Sequence, residues 1–409
     1  MGAAAIFLLA SLLLWPSPTI ASANAAVSAG TPAKLAAAHW SSIPAGPLSP
    51  RTDQSTVWIG WAWVIWGGSN PTTGALNNGA LFNPTTNTWT RMSASPLSPR
   101  EDALAVWTGQ VVILWGGHND SDANNGTEQG LDNGASYNPV TRKWKLLPPS
   151  PLSSRSLATA DWTGKLAIFI GGQSSNLASP PLDGATFNPA TNTWALLPKL
   201  PMQRAGTPVW ITAAWSGRQL ITWTTYQIIT KLPDGAEIQG RQVGATWAPG
   251  HPGWNLLPKP PAHVYTYAAT SLWVNGYDVL VGGSFCLPSM SCPASLTSSA
   301  EAYNAATRTW TASPENAVIE GQNPVASTVT SAVIINQTST IEAAGSSGGN
   351  AVPGDGVAFN PKSGTLIALP PLPLPESGVK GLSLVWTGRN LLAWGTLNSS
   401  NRVFAETLS

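Results

Sequence analysis

The feature that most constrains this 409-residue chain is that it repeats itself. From Arg100 an apolar segment leads to Trp107, then the turn Thr108-Gly109-Gln110, the run Val111-Val112-Ile113-Leu114-Trp115, and Gly116-Gly117. A polar loop follows, then Gly134-Ala135-Ser136-Tyr137, a turn at Asn138-Pro139, and Trp144. The same order starts at Arg51, Arg155 and Arg204, and in degraded form near His263, Asn323 and Val379, seven starts in all. A unit of about 50 residues built from short apolar segments cannot bury its own faces, so the copies must stack on one another.

A second register is tighter than the first. Phe82 and Trp89, Tyr137 and Trp144, Phe187 and Trp194, Trp247 and Trp254, and Tyr303 and Trp310 are each seven residues apart, most across an Asn-containing turn. Such spacing predicts a hairpin whose two strands each carry one large aromatic. Phe359 and Leu366 keep the spacing without the tryptophan. Phe404 lies too near the C-terminus to have a partner after it, and Trp40 at the other end supplies one. Each copy then reads as four strands, a to d. Strand a ends at Trp-Thr-Gly, and strand b is apolar on both faces because neighbours cover both. Double glycines, as at Gly67-Gly68, Gly116-Gly117, Gly171-Gly172 and Gly282-Gly283, end strand b, where positive φ or close backbone approach excludes a side chain. No segment has a sustained helical period. The expected fold is all-β: a seven-bladed β-propeller of four-stranded antiparallel blades, its ring closed by an N-terminal strand so that no blade face is left open.

Composition narrows the function. Charged residues are 10% of the chain and the net charge is +1, so no strong field draws nucleic acid or an anionic bilayer. Residues 1–25 read as a secretory signal: a largely apolar run from Ala3 to Leu14, then Ala21-Ser22-Ala23 and Ala23-Asn24-Ala25 as small-residue cleavage sites. No Lys or Arg precedes the run. The alternative is an uncleaved anchor, for which the run is short of the roughly 20 residues that span a bilayer. Residues 26–38 read as a small-residue linker and 39–409 as the propeller, secreted or held in the cell envelope, with no transmembrane span in the mature chain. Cys286 and Cys292, the only cysteines, are expected to form a disulfide closing one loop.

Double glycine after an apolar strand, an aromatic, and a tryptophan after an Asn-Pro-x-Thr turn together resemble the kelch repeat. From Trp40 onward the chain is similar to the kelch and galactose-oxidase-like seven-bladed propellers. It departs from them at Trp223-Thr224 and Ala344-Gly345, which stand where the double glycine is expected. The resemblance implies that Arg51, Arg100, Arg155 and Arg204, with His263 at the fifth position, line a pocket mouth and grip acidic groups, as guanidinium forks do. The competing reading is that each Arg anchors its own proline-rich link or pairs with Glu101, Asp102 or Asp53.

The long b-to-c connections, His118 to Asn133, Gln173 to Asp183, Tyr226 to Gly240 and Ser284 to Ser299, share one face with these arginines and mark it as the binding face. Asp120 to Glu128 alternates oxygen ligands, but lacks the glycine and glutamate positions of a calcium loop and reads as a solvated acidic loop. Copper oxidase chemistry, which galactose oxidase would imply, is disfavoured because no Tyr-His pair and no suitably placed cysteine are present. No cofactor or metal is expected. Most of the 21 tryptophans belong to the packing, whereas Trp61 occupies a turn and is expected to be exposed. The expected function is a protein- or carbohydrate-binding module. The alternative is an extracellular carbohydrate-active enzyme resembling the sialic-acid mutarotases, with Arg100, Arg155, Glu101 and His263 supplying its chemistry.

Overall fold

The computed structural model describes residues 38–119, 129–174, 180–201, 206–232, 235–261, 269–281, 300–312, 325–327, 332–335, 356–374, 379–397 and 403–409. Among these residues there is no helix, and the fold is a β-propeller of four-stranded antiparallel sheets.

Six sheets are continuous in sequence and one is composite. Sheet I contains Ser55–Trp58, Trp63–Trp66, Gly79–Asn83 and Thr88–Arg91 as strands a to d; sheet II contains Leu104–Trp107, Val112–Trp115, Gly134–Asn138 and Lys143–Leu146. Sheet III follows with Thr159–Trp162, Ala167–Ile170, Gly184–Asn188 and Thr193–Leu196, and sheet IV with Thr207–Trp215, Leu220–Leu232, Gly235–Trp247 and Asn255–Leu256. Sheet V comprises Thr270–Val274, Tyr277–Val281, Ala300–Asn304 and Thr309–Ala312, and sheet VI Val325–Ser327, Ala332–Ile335, Gly356–Phe359 and Leu366–Leu369. The composite sheet VII takes Val379–Trp386, Leu391–Leu397 and Val403–Leu408 from the C-terminal end and Trp40–Ser42 from the N-terminal end. Strand a of each sheet packs on strand a of the next, and that of sheet VII returns to sheet I.

Local chemistry explains the strands. Trp63–Trp66, Val112–Trp115 and Ala167–Ile170 are buried at every position, as expected for strand b covered on both faces. The aromatic pairs face each other across strands c and d, with Phe82 opposite Trp89, Tyr137 opposite Trp144, Phe187 opposite Trp194 and Tyr303 opposite Trp310. Their ring centroids lie 5.1, 4.8, 5.0 and 5.3 Å apart, within the range of favourable tilted contacts. In the turn between them the Asn side chain accepts backbone N–H groups: Asn83 Oδ1 from Thr85 and Thr86, and Asn138 Oδ1 from Val140 and Thr141.

Two recurring joints hold neighbouring sheets together. At the rim, the tryptophan at or beside strand d donates its indole N–H to a carbonyl just past strand d of the preceding sheet. Trp89 donates to Pro44, Trp144 to Ser93, Trp194 to Pro148, Trp254 to Pro198 and Trp40 to Pro370. The last of these joins the composite sheet to sheet VI. Trp40–Ser42 also pairs with Glu406–Leu408, so the N-terminal strand does close the composite sheet, but Trp40 stands opposite Leu408 and not Phe404 as expected.

The inner joint uses the double glycine. Gly68 N donates to Arg100 O and Gly117 N to Arg155 O, each reaching into the next sheet's link. Gly117 has φ +86, and a Cβ there would stand 2.4 Å from Glu101 O, so the site excludes side chains by conformation and by space. Sheet VII closes on sheet I differently: Thr396 Oγ1 accepts from Arg51 N and donates to Arg51 O, and Gln54 Nε2 donates to Gly381 O and Ser383 Oγ.

Sheet IV differs from expectation in two ways. Trp223 pairs with Gly244 as Trp115 pairs with Gly134, so Thr224-Thr225, and not Trp223-Thr224, stand where the other sheets have two glycines. The segment expected as a loop from Tyr226 to Gly240 continues the ladder instead, in register out to Leu232 opposite Gly235. The reason is the missing glycines. Threonine favours extended backbone and cannot make the positive-φ turn that ends strand b elsewhere.

Candidate functional site

Arg51, Arg100 and Arg155 have no exposed surface. Arg100 shows the shared arrangement: Nε donates to Ser98 O, Nη1 to Gly116 O and Asn133 O, and Nη2 to Ser98 Oγ. Arg51 repeats it with Ser49, Gly67 and Asn78. Arg155 repeats it with Ser153, Gly171 and Asp183, and adds an ion pair to Asp183 Oδ1 at 2.8 Å. Each fork holds its own sheet's double glycine and the start of strand c, which is the anchoring role and leaves no guanidinium surface facing a ligand. Burial lowers the pKa of Arg51 and Arg100 to about 10, so both stay charged at neutral pH, solvated by carbonyl dipoles. Arg204, His263, Cys286 and Cys292 lie outside the described residues, as do residues 1–37, which contain the expected signal and nearly all of the linker.

The cavity sits elsewhere, on the ring's axis. It is lined by residues at or just before the start of strand a in four sheets, Gln54 to Thr56, Asp102 to Ala105, Leu157 to Ala160 and Ala269 with Thr270, and by Trp210 to Thr212 in the middle of the longer strand a of sheet IV. The starts of these strands lie on the face that carries the b-to-c connections, so the cavity opens on the face expected from loop length. Strand a is the edge strand of every sheet, and its outer backbone edge has no sheet partner.

The lining is neutral apart from Asp102. Asp102 Oδ2 lies 3.7 Å from His118 Nδ1, and His118 Nε2 lies 3.7 Å from Glu101 Oε1. This titratable cluster at the cavity's edge was legible in one respect. Thr52 bridges Ser69, Glu101 bridges His118 and Ser156 bridges Gln173, so aligning the repeats sets Glu101 opposite His118. The hydroxyl lining was not legible, because nothing in the sequence says which strand-a residues face the axis.

Two further carboxyls are buried away from the cavity, on either side of sheet IV. Asp161 Oδ2 in sheet III accepts from Trp215 N. Asp278 in sheet V accepts from Trp223 Nε1 and from Ser271 Oγ. Burial pushes both up to about 7, and for Asp161 the nearby Asp278 adds to the rise. On the opposite face Trp61, in the turn between strands a and b of sheet I, is exposed as expected.

No helix among the described residues is long and apolar enough to cross a membrane, and no group of three or more His, Cys, Asp or Glu among them could hold a metal ion. No family model matches the chain, and no curated protein matches it.

Proposed function

We propose that this chain is a secreted, seven-bladed propeller of the kelch type that acts as a binding module through the face carrying its b-to-c connections. The observation that supports this reading most strongly is the axial cavity, which opens on that face between the inner strands of five successive sheets. Ligand sites favour such concave positions, where several elements converge. The seven-start repeat, the double-glycine joint and the rim tryptophans are the features that favour a kelch-type ring. With three arginines spent in the scaffold, recognition falls to the cavity lining and the loops around it.

The test is a screen of the chain from Ala26 onward against arrayed glycans and peptides, run beside two variants. Ala160→Arg introduces a long charged side chain at a half-buried residue of the cavity wall. Trp61→Ala removes the exposed aromatic of the other face. Binding that is lost in Ala160→Arg and kept in Trp61→Ala, with both variants folded by thermal melt, supports the reading. The reverse pattern assigns function to the opposite face and overturns it.

A further inference from the structure

We propose that the axial cavity binds a small, uncharged, hydroxyl-rich molecule such as a neutral monosaccharide or a sugar alcohol. This rests on the binding-face reading above and names the ligand class.

Four threonines line the cavity from four different sheets: Thr56 of sheet I, Thr159 of III, Thr212 of IV and Thr270 of V. All are more than nine-tenths buried. Thr56 Oγ1 is enclosed without a hydrogen-bond partner, and none of the other three hydroxyls has one among the described residues. Thr56 Oγ1 is a buried hydroxyl left unsatisfied, and the other three hydroxyls, unpartnered among the described residues, are open to the cavity, so together they point to a partner that enters from outside. A hydroxyl both donates and accepts, and its natural complement is another hydroxyl. The exposed edges of the inner strands add amide and carbonyl groups of the same neutral character. Trp210, also in the lining, supplies apolar surface for the C–H face of such a molecule and spends its own indole N–H on Ala269 O.

The charges of the described lining argue against charged ligands. An acidic ligand needs a cation, and the three described arginines at the repeat starts are buried beneath the face with their donors on backbone carbonyls and serines. A cationic ligand would meet a single carboxylate in the lining, Asp102, with His118 Nδ1 3.7 Å from its Oδ2. Burying a ligand charge against threonine and alanine costs more than those contacts return.

Isothermal titration of the chain from Ala26 onward with glucose, mannose, galactose and mannitol, and with glucuronate and glucosamine, tests this. The expected result is saturable binding of at least one neutral compound, with Thr159→Val and Thr212→Val each weakening it by roughly 3- to 10-fold, the effect of one neutral hydrogen bond. These variants remove a hydroxyl that has no partner in the protein, so their melting temperatures should not fall. Tighter binding of glucuronate or glucosamine than of any neutral compound overturns the ligand class but leaves the binding face standing. Equal binding by wild type and both valine variants overturns the threonine site. No binding of any of the six compounds overturns the proposal, and the Ala160→Arg screen then decides separately whether the face binds something larger.

Discussion

Sheets II and IV stand two places apart in one ring and share a buried tryptophan at the same position of strand b, Trp115 and Trp223. After Trp115 come two glycines, the strand ends, and the turn meets the next sheet's Arg155 carbonyl. After Trp223 come two threonines, and the ladder runs on to Leu232. Sheet II is braced from within by the Arg100 guanidinium fork, which keeps its charge across the physiological pH range. Sheet IV is flanked by two buried carboxyls that do not, because Asp161 and Asp278 titrate near neutrality. One ring therefore contains joints indifferent to pH and joints that respond to it. The difference follows from which residue was available to satisfy buried backbone and indole groups.

The largest effect should come from removing a fork. Arg51→Ala leaves the carbonyls of Ser49, Gly67 and Asn78 without their donor at the joint where the ring closes, and should cost about 3–5 kcal/mol in chemical denaturation. A loss below about 1 kcal/mol, the ordinary size for a surface change, would place this arginine outside the scaffold.

The carboxyl joints should show in the pH profile. A carboxyl held above its unfolded pKa keeps extra protons in the folded state, so its contribution to stability is greatest in acid. That contribution falls as pH rises from about 4 toward 7 and is flat above that. Asp161→Asn should flatten this decline, whereas Arg100→Lys should lower the whole curve without changing its slope. Thermal melts from pH 4 to 8 check both, and an unchanged slope in Asp161→Asn removes the carboxyl from the account.

Glycine substitutions separate conformation from contact. Gly109 has φ +87 with open space around it, so Gly109→Ala should cost about 1–2 kcal/mol for the left-handed backbone alone. Gly117 has φ +86 and the Glu101 carbonyl at 2.4 Å from a built Cβ, so Gly117→Ala should cost clearly more. Equal costs would mean that the close approach at the joint carries no energy. The smallest effect belongs to the outer half of the sheet IV hairpin. Past Gln227 its strand b has no strand-a partner among the described residues. Replacing residues 229–238 by an Asn-Gly turn should change stability by less than about 0.5 kcal/mol, because a two-stranded ribbon adds little.

Much of this fold was legible because its signals are local. The aromatics seven residues apart, the Asn turns, the buried strand b and the Trp40 closure each depend on residues that pair within a hairpin or on a strand missing from one end. The arginines were ambiguous because the groups that satisfy them are far along the chain: Gly67 and Asn78 lie 16 and 27 residues from Arg51. Sequence alone allows both a fork aimed at solvent and a fork aimed inward, and it favours the inward one. Sheet IV was misaligned by one residue because the glycines that mark the end of strand b are absent there; Trp223, at the position of Trp66 and Trp115, carried the correct register. The threonine lining depends on which edge of strand a meets the axis, a property of the closed ring and not of any one repeat.

The central claim is that double glycine and arginine form one joint between sheets. A double-mutant cycle in equilibrium unfolding tests it most directly, pairing Gly68→Ala with Arg100→Ala, whose backbones meet at the hydrogen bond from Gly68 N to Arg100 O. Gly68→Ala paired with Arg155→Ala, one sheet further on, is the control. A coupling of at least about 1 kcal/mol in the first pair and additivity within about 0.5 kcal/mol in the second is the predicted result. Additivity in both pairs would contradict it, leaving the glycines as turn residues and the arginines as anchors that act alone.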